Sequence, residues 1–195
     1  MLANEMLEKG VKQQDIIGIM LNRSPEMIIG LIAILKCGAT YLPIDPEYPV
    51  ERISYMLENS ETKLVLVNNN TEKYVPENCS KINIQNIENP KKENINLKID
   101  ENGLVYLIYT SGSTGKPKGV QITNRNLNNF IKGMKKEIDF NPDKTMVSVT
   151  TICFDIFGLE MWCSLTSGLT LVVANELEQN MPSLLNKLCL ENKVN

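Results

Sequence analysis

Apolar residues along the chain alternate between short continuous runs and helical spacing, with turn residues between them. Leu2, Met6 and Leu7 recur at helical spacing, and Gly10 suits the end of that helix. The run Ile16–Leu21 reads as a strand buried on both faces. Ser24 then offers an N-cap and Pro25 a first helical position, so a helix runs to about Lys36 and stops at Gly38. Tyr41–Ile44 is the next strand. After the polar turn Asp45-Pro46-Glu47-Tyr48-Pro49 comes a helix with Ile53, Met56 and Leu57 on one face, then a strand at Lys63–Val67. Strands alternating with helices predict parallel pairing through right-handed crossovers.

From Asn68 to Asn102 the composition shifts to Asn, Glu and Lys, with a strand-like stretch only at Lys81–Ile84. This reads as a surface excursion between two lobes, residues 1–100 and 101–195. The second lobe restarts with the buried strand Leu104–Tyr109, a Gly/Ser/Thr loop and the strand Gly119–Ile122. Thr123 or Asn124 caps a helix carrying Leu127, Phe130, Ile131 and Met134. Strands at Met146–Val149 and Leu169–Ala174 flank a helix from Gly158 to Leu165, stopped at Gly168. Pro182 opens a last helix to about Asn192, and Val194 reads as the start of a further strand. The expected fold class is α/β, with layered, mostly parallel sheets and flanking helices. Both ends of the chain read as cut within that fold.

Composition narrows the chemistry. The 195 residues are 43% hydrophobic and 22% charged, with 20 basic and 23 acidic residues and a net charge of −3. No basic excess suggests nucleic acid or an anionic membrane as partner, no apolar run is long enough to span a bilayer, and no signal peptide opens the chain. Five cysteines without a CxxC pair fit free thiols in the cytoplasm. There is no histidine. Ser-His-Asp and Cys-His nucleophile systems and histidine zinc sites are therefore excluded, leaving backbone amides, hydroxyls, lysines and carboxylates.

Those groups concentrate in Thr110-Ser111-Gly112-Ser113-Thr114-Gly115-Lys116-Pro117-Lys118-Gly119, where four hydroxyls, three glycines and two lysines follow a buried strand. Glycines let backbone amides approach an anion, hydroxyls add donors and lysine adds charge, as a polyphosphate requires. A flexible polar hairpin is the alternative on composition alone. The glycine spacing and Pro117 exclude a Walker A loop, and the Rossmann pattern is absent. The loop joins strand to strand.

Leu104–Gly119 closely resembles the AMP-binding signature of adenylate-forming enzymes. Leu35-Lys-Cys-Gly-Ala-Thr-Tyr-Leu-Pro-Ile-Asp45 resembles the second core motif of amino-acid adenylation domains in nonribosomal peptide synthetases. Phe154-Asp155-Ile-Phe-Gly-Leu-Glu-Met-Trp162 resembles their fourth. The resemblance covers essentially the whole chain, including Arg23-Ser-Pro-Glu-Met and Tyr48-Pro-Val-Glu-Arg-Ile. It implies a fragment of the large N-terminal domain of those enzymes and a two-step reaction. An amino acid and ATP give an aminoacyl adenylate and pyrophosphate; the acyl group then passes to a phosphopantetheine thiol on a peptidyl carrier domain.

By that resemblance Thr110, Ser111, Gly112, Ser113, Thr114, Gly115 and either Lys116 or Lys118 hold the triphosphate. Asp155 pairs with the substrate ammonium, its apolar neighbours Phe154, Ile156 and Phe157 giving a low-dielectric pocket. A helix N-cap is the alternative role for Asp155, and the two are compatible. Ile156 and Leu159 fall on specificity positions and suggest an aliphatic or small uncharged substrate side chain. No catalytic residue and no metal ligand is assigned: the family's Mg-assisting Glu, ribose-binding Asp and catalytic Lys have no counterparts in this chain. The chain alone is expected not to turn over, the rest of a synthetase being its partner. An acyl- or aryl-CoA ligase fragment and a non-catalytic remnant that at most binds nucleotide are the competing readings.

Overall fold

The computed structural model describes residues 1–87, 93–111 and 116–195. These residues form two compact units: Met1–Asn22 with Glu26–Arg125, and Arg23–Pro25 with Asn126–Asn195.

The first unit is built on a six-stranded sheet. Its strands are β1 (Ile16–Met20), β2 (Thr40–Pro43), β3 (Leu64–Val67), β4 (Ser80–Asn83), β5 (Leu104–Thr110) and β6 (Lys118–Thr123), in the spatial order β4-β3-β1-β2-β5-β6. All neighbours are parallel except β5 and β6. Every residue of β1 after Ile16 is buried, as are all of β2 and β3, which explains their unbroken apolar runs.

Side chains alternate across this sheet. Met20, Val65 and Val67 face one way and pack with Ile53, Met56 and Leu57 of helix α3 (Val50–Asn59). Ile19 and Leu66 face the other way, toward helix α2 (Pro25–Lys36). There a methyl group on Gly30 would stand 3.0 Å from Ile19 Cδ1 and 3.5 Å from Leu66 Cδ1. Gly18 serves the opposite face, where an added methyl would meet Val65 Cγ2 at 2.9 Å. The opening helix α1 (Leu2–Glu8) buries Leu2, Ala3 and Met6.

The division between lobes differs from the expected 1–100 and 101–195. Strands β5 and β6 belong to the first unit. An apolar strand buried on both faces needs a neighbour, and β5 finds it in β2 through the Tyr41–Tyr106 pairing, with the two rings 5.3 Å apart. Thr40 Oγ1 also donates to the Leu104 carbonyl at 3.2 Å. The Asn-rich excursion contains β4, which extends the sheet beside β3.

The second unit carries helix α4 from Asn126 onward (the whole helix is Asn124–Glu137) and a parallel pair of strands, β7 (Thr145–Ser148) and β8 (Thr170–Val173). Between these strands lie a π-helical segment, Leu159–Cys163, and the short helix α5 (Ser164–Ser167), which Gly168 ends in the left-handed region at φ 80°. Helix α6 (Glu176–Asn180) lies outside the sequence reading although its signal was present. Asn175 Oδ1 accepts from the Glu178 amide and Glu178 Oε2 from the Asn175 amide, both at 2.9 Å, a reciprocal capping box. Helix α7 (Pro182–Glu191) follows. Among the described residues no helix is long and apolar enough to cross a membrane.

The five thiols are free, with Cys37, Cys79 and Cys163 buried and Cys153 and Cys189 half-buried. Burial pushes the Cys37 thiol up to about 11. At pH 8 only about one part in a thousand of Cys37 is then thiolate. Iodoacetamide at that pH should label Cys189 at least ~100-fold faster than Cys37, and raising the pH toward 11 should narrow the gap. Equal labelling of the two residues in the folded chain, read by peptide mass spectrometry, would contradict this packing.

Candidate functional site

The anion-binding candidates sit at one end of the β5–β6 hairpin. Thr110 pairs with Lys118, Tyr109 with Gly119 and Ile108 with Val120, so the turn between the strands is closed by an antiparallel ladder. Thr110, Ser111, Lys116 and Lys118 are all at this end, with Lys118 backed by its ladder pairing. Thr110, Ser111 and Lys116 are exposed. Gly112, Ser113, Thr114 and Gly115 lie outside the described residues.

Helix α3 holds both shoulders of the hairpin. Tyr55 Oη donates to the Pro117 carbonyl at 3.3 Å, and Tyr109 Oη donates to Asn59 Oδ1 at 2.7 Å. The two tyrosine rings meet edge to face, 6.3 Å apart. Burial, with the neighbouring Tyr55 phenol adding to it, pushes the Tyr109 hydroxyl above its ordinary range, so it stays a neutral donor near neutral pH. Gly119 lies close to the neighbouring strand: an added methyl would stand 2.7 Å from Leu107 Cδ1, and that side chain would have to shift.

In the second unit Asp155 lies in the turn between β7 and the π-helical segment. It is exposed, as are Phe154 (53%) and Ile156 (50%); of its apolar neighbours only Phe157 is buried. The tight turn gives only one of those neighbours, Phe157, to the core. Asp155 also makes no side-chain cap. Its backbone carbonyl accepts from the Gly158 amide at 2.8 Å, and its carboxylate has no partner among the described residues. Ile156 shares the exposed apex, and Leu159 is half-buried at the start of the π segment. Met161 and Trp162 are core residues, as their spacing suggested.

Two residues to which the sequence pattern assigned no role hold the stem of this turn. Glu160 is buried at 8% exposure. It accepts from Ser148 Oγ at 2.7 Å, from Thr150 Oγ1 at 2.5 Å, and from the Thr150 amide at 3.1 and 3.2 Å. Arg23 donates through Nε to the Ala174 carbonyl and through Nη2 to the Ser148 carbonyl, both at 2.7 Å. Its Nη1 donates to the Thr150 carbonyl, and Nη2 also reaches Ser148 Oγ at 3.3 Å. Burial lowers the pKa of the Arg23 guanidinium, opposed by the charges of Glu160 and Glu176. The signal for Glu160 was a lone carboxylate in an otherwise apolar helical stretch. For Arg23 no local signal exists, because its partners lie more than 120 positions away in the chain.

The sequence model of the AMP-binding enzyme family matches residues 1–195. Gramicidin S synthase 2 of Brevibacillus brevis is 37% identical over 195 residues, which are 99% of this chain and 4% of that protein. Bacitracin synthase 2 of Bacillus licheniformis is 39% identical over 176 residues, 90% of this chain and 7% of that protein. The chain thus spans under a tenth of the length of either relative. Among solved structures, the nonribosomal peptide synthetase FmoA3 in its alpha-methyl-L-serine-AMP bound form matches with a TM-score of 0.91 at 23% identity. That match covers 99% of this chain and 22% of the FmoA3 chain. FmoA3 in its AMPPNP bound form matches with the same score.

The anchoring geometry makes stability predictions. Tyr55→Phe and Tyr109→Phe should each cost about 1 kcal/mol, the net value of one hydrogen bond. Gly119→Ala should cost about 1–3 kcal/mol through the clash with Leu107. Urea denaturation checks all three, and an unchanged midpoint for Gly119→Ala would contradict the close approach.

Proposed function

Because the chain belongs to the AMP-binding enzyme family, we propose that it forms part of an amino-acid-activating adenylation unit of a nonribosomal peptide synthetase. In the first step a carboxylate oxygen of the amino acid attacks the α-phosphorus of ATP, and pyrophosphate leaves with the electron pair of the broken P–O bond. In the second, the thiol of a carrier-domain phosphopantetheine takes the acyl group and AMP leaves. Neither step needs a protein nucleophile, so a chain without histidine is compatible with both.

Thr110, Ser111, Gly112, Ser113, Thr114 and Gly115 would surround the triphosphate, with Lys116 or Lys118 supplying charge. Tyr55 and Tyr109 tie the two shoulders of this hairpin to α3. Those bonds fix Tyr109 and Pro117 on either side of the candidate residues. Mg accompanies ATP in this reading. No Mg ligand is assigned to this chain.

The observation that carries the amino-acid reading is the Asp155 carboxylate, exposed at the apex of a braced turn and unengaged by any described residue. A free carboxylate there gives an α-ammonium a charge-assisted partner and gives a plain carboxylic acid nothing. Ile156 and Leu159 beside it favour an aliphatic or small uncharged side chain. The cytoplasm is the proposed setting, where ATP is available and free thiols persist.

The test is amino-acid-dependent ATP–pyrophosphate exchange by a polypeptide that completes the adenylation unit around this chain. Amino acids should support exchange and the matching plain carboxylic acids should not. Asp155→Asn should lower kcat/KM for the amino acid by about a hundredfold, the loss of one charge pair. Exchange driven equally well by des-amino acids would overturn the reading in favour of an acyl-CoA ligase. The 195-residue chain alone should give no exchange.

A further inference from the structure

We propose that Arg23 is a positioning residue for the Asp155 turn, acting through Ser148, Thr150 and Glu160. It draws its importance from the reading of Asp155 as the ammonium partner, but its geometry stands apart from that reading. The turn runs from Thr150 to Glu160, and hydrogen bonds between these two residues close its base: both the amide and the hydroxyl of Thr150 donate to the Glu160 carboxylate. The base is in turn tied to the carboxyl ends of the parallel strands. Arg23 donates to carbonyls at Ser148, at Thr150 and at Ala174, so one guanidinium spans the ends of both β7 and β8.

Ser148 links the two charged groups. Its hydroxyl accepts from Arg23 Nη2 at 3.3 Å and donates to Glu160 Oε2 at 2.7 Å. A buried carboxylate needs its oxygens satisfied, and Ser148 and Thr150 satisfy those of Glu160. The Ser148 carbonyl already accepts from the Ala174 amide at 3.1 Å, and Arg23 adds a second donor to it while also capping the Ala174 carbonyl. The fork geometry matters. Arg23 reaches three carbonyls and a hydroxyl with three nitrogens, which a lysine ammonium on a flexible stem cannot reproduce. A further bond, from the Arg23 amide to Glu176 Oε1 at 2.8 Å, fixes the backbone from which the guanidinium projects. The result is a rigid stem below an exposed apex that presents an unengaged carboxylate. Fixing that apex before a ligand arrives removes an ordering cost from binding.

Hydrogen–deuterium exchange on the full 195-residue chain tests this. Arg23→Lys should raise exchange in the 149–160 segment about tenfold, the effect of losing charge-assisted hydrogen bonds at the stem, and leave the 161–168 segment within about twofold. Ser148→Ala, which removes only the linking hydroxyl, should raise exchange in 149–160 about threefold and keeps the test available if Arg23→Lys does not fold. Leu169→Ala serves as a control that weakens the same unit without touching the stem. Exchange in 149–160 that stays unchanged, or that rises only in parallel with 161–168 as in the control, would overturn the proposal. Asp155→Asn should leave exchange in 149–160 within about twofold, so failure of the ammonium reading, seen in the pyrophosphate assay, is distinguishable from failure of the positioning role.

Discussion

The first unit depends on the burial of β1 on both faces. A strand flanked by parallel neighbours and covered by helices on each side must be apolar along its length, and β1 is. Its two faces then fix where α2 and α3 lie. The approach is close: a methyl on Gly18 would meet Val65 on one side, and a methyl on Gly30 would meet Ile19 on the other. Because α3 is held this way, Tyr55 and Asn59 stand where they can reach the β5–β6 hairpin. The anion-binding candidates are thus connected to the centre of the sheet by two short steps of packing and hydrogen bonding.

Much of this architecture was legible in the sequence for physical reasons. Continuous apolar runs identify fully buried strands, and Pro25, Gly38, Gly168 and Pro182 mark helix ends because each restricts or frees the backbone in a known way. The strand-to-strand connection at Thr110–Gly119 followed from β-like runs on both sides of the glycine-rich segment. The lobe boundary expected at residue 100 differs from the observed one because composition reports where a chain runs over the surface, whereas strand pairing decides which unit a segment joins. The pairing of Tyr41 with Tyr106 is a long-range choice that no local pattern encodes.

The second unit shows the same division more sharply. The motif containing Asp155 was readable, yet its environment was not. Apolar neighbours in sequence suggested a pocket, while the turn exposes Phe154 and Ile156 and buries only Phe157. The buried charge is instead Glu160, and its neutralising environment is assembled from Ser148, Thr150 and an arginine far off in the chain. An acidic residue in an apolar helical stretch signals a buried polar network; which groups complete the network emerges only from the folded arrangement.

A family match and a shared fold leave the central claim resting on one contact, that of the Asp155 carboxylate with a substrate ammonium. The most direct measurement is a crystal structure of the completed adenylation unit with a non-hydrolysable aminoacyl-adenylate analogue. The account predicts the α-ammonium nitrogen within ~4 Å of an Asp155 oxygen, the distance of an ion pair. An analogue whose ammonium is held by another group, with Asp155 left facing solvent, would contradict it.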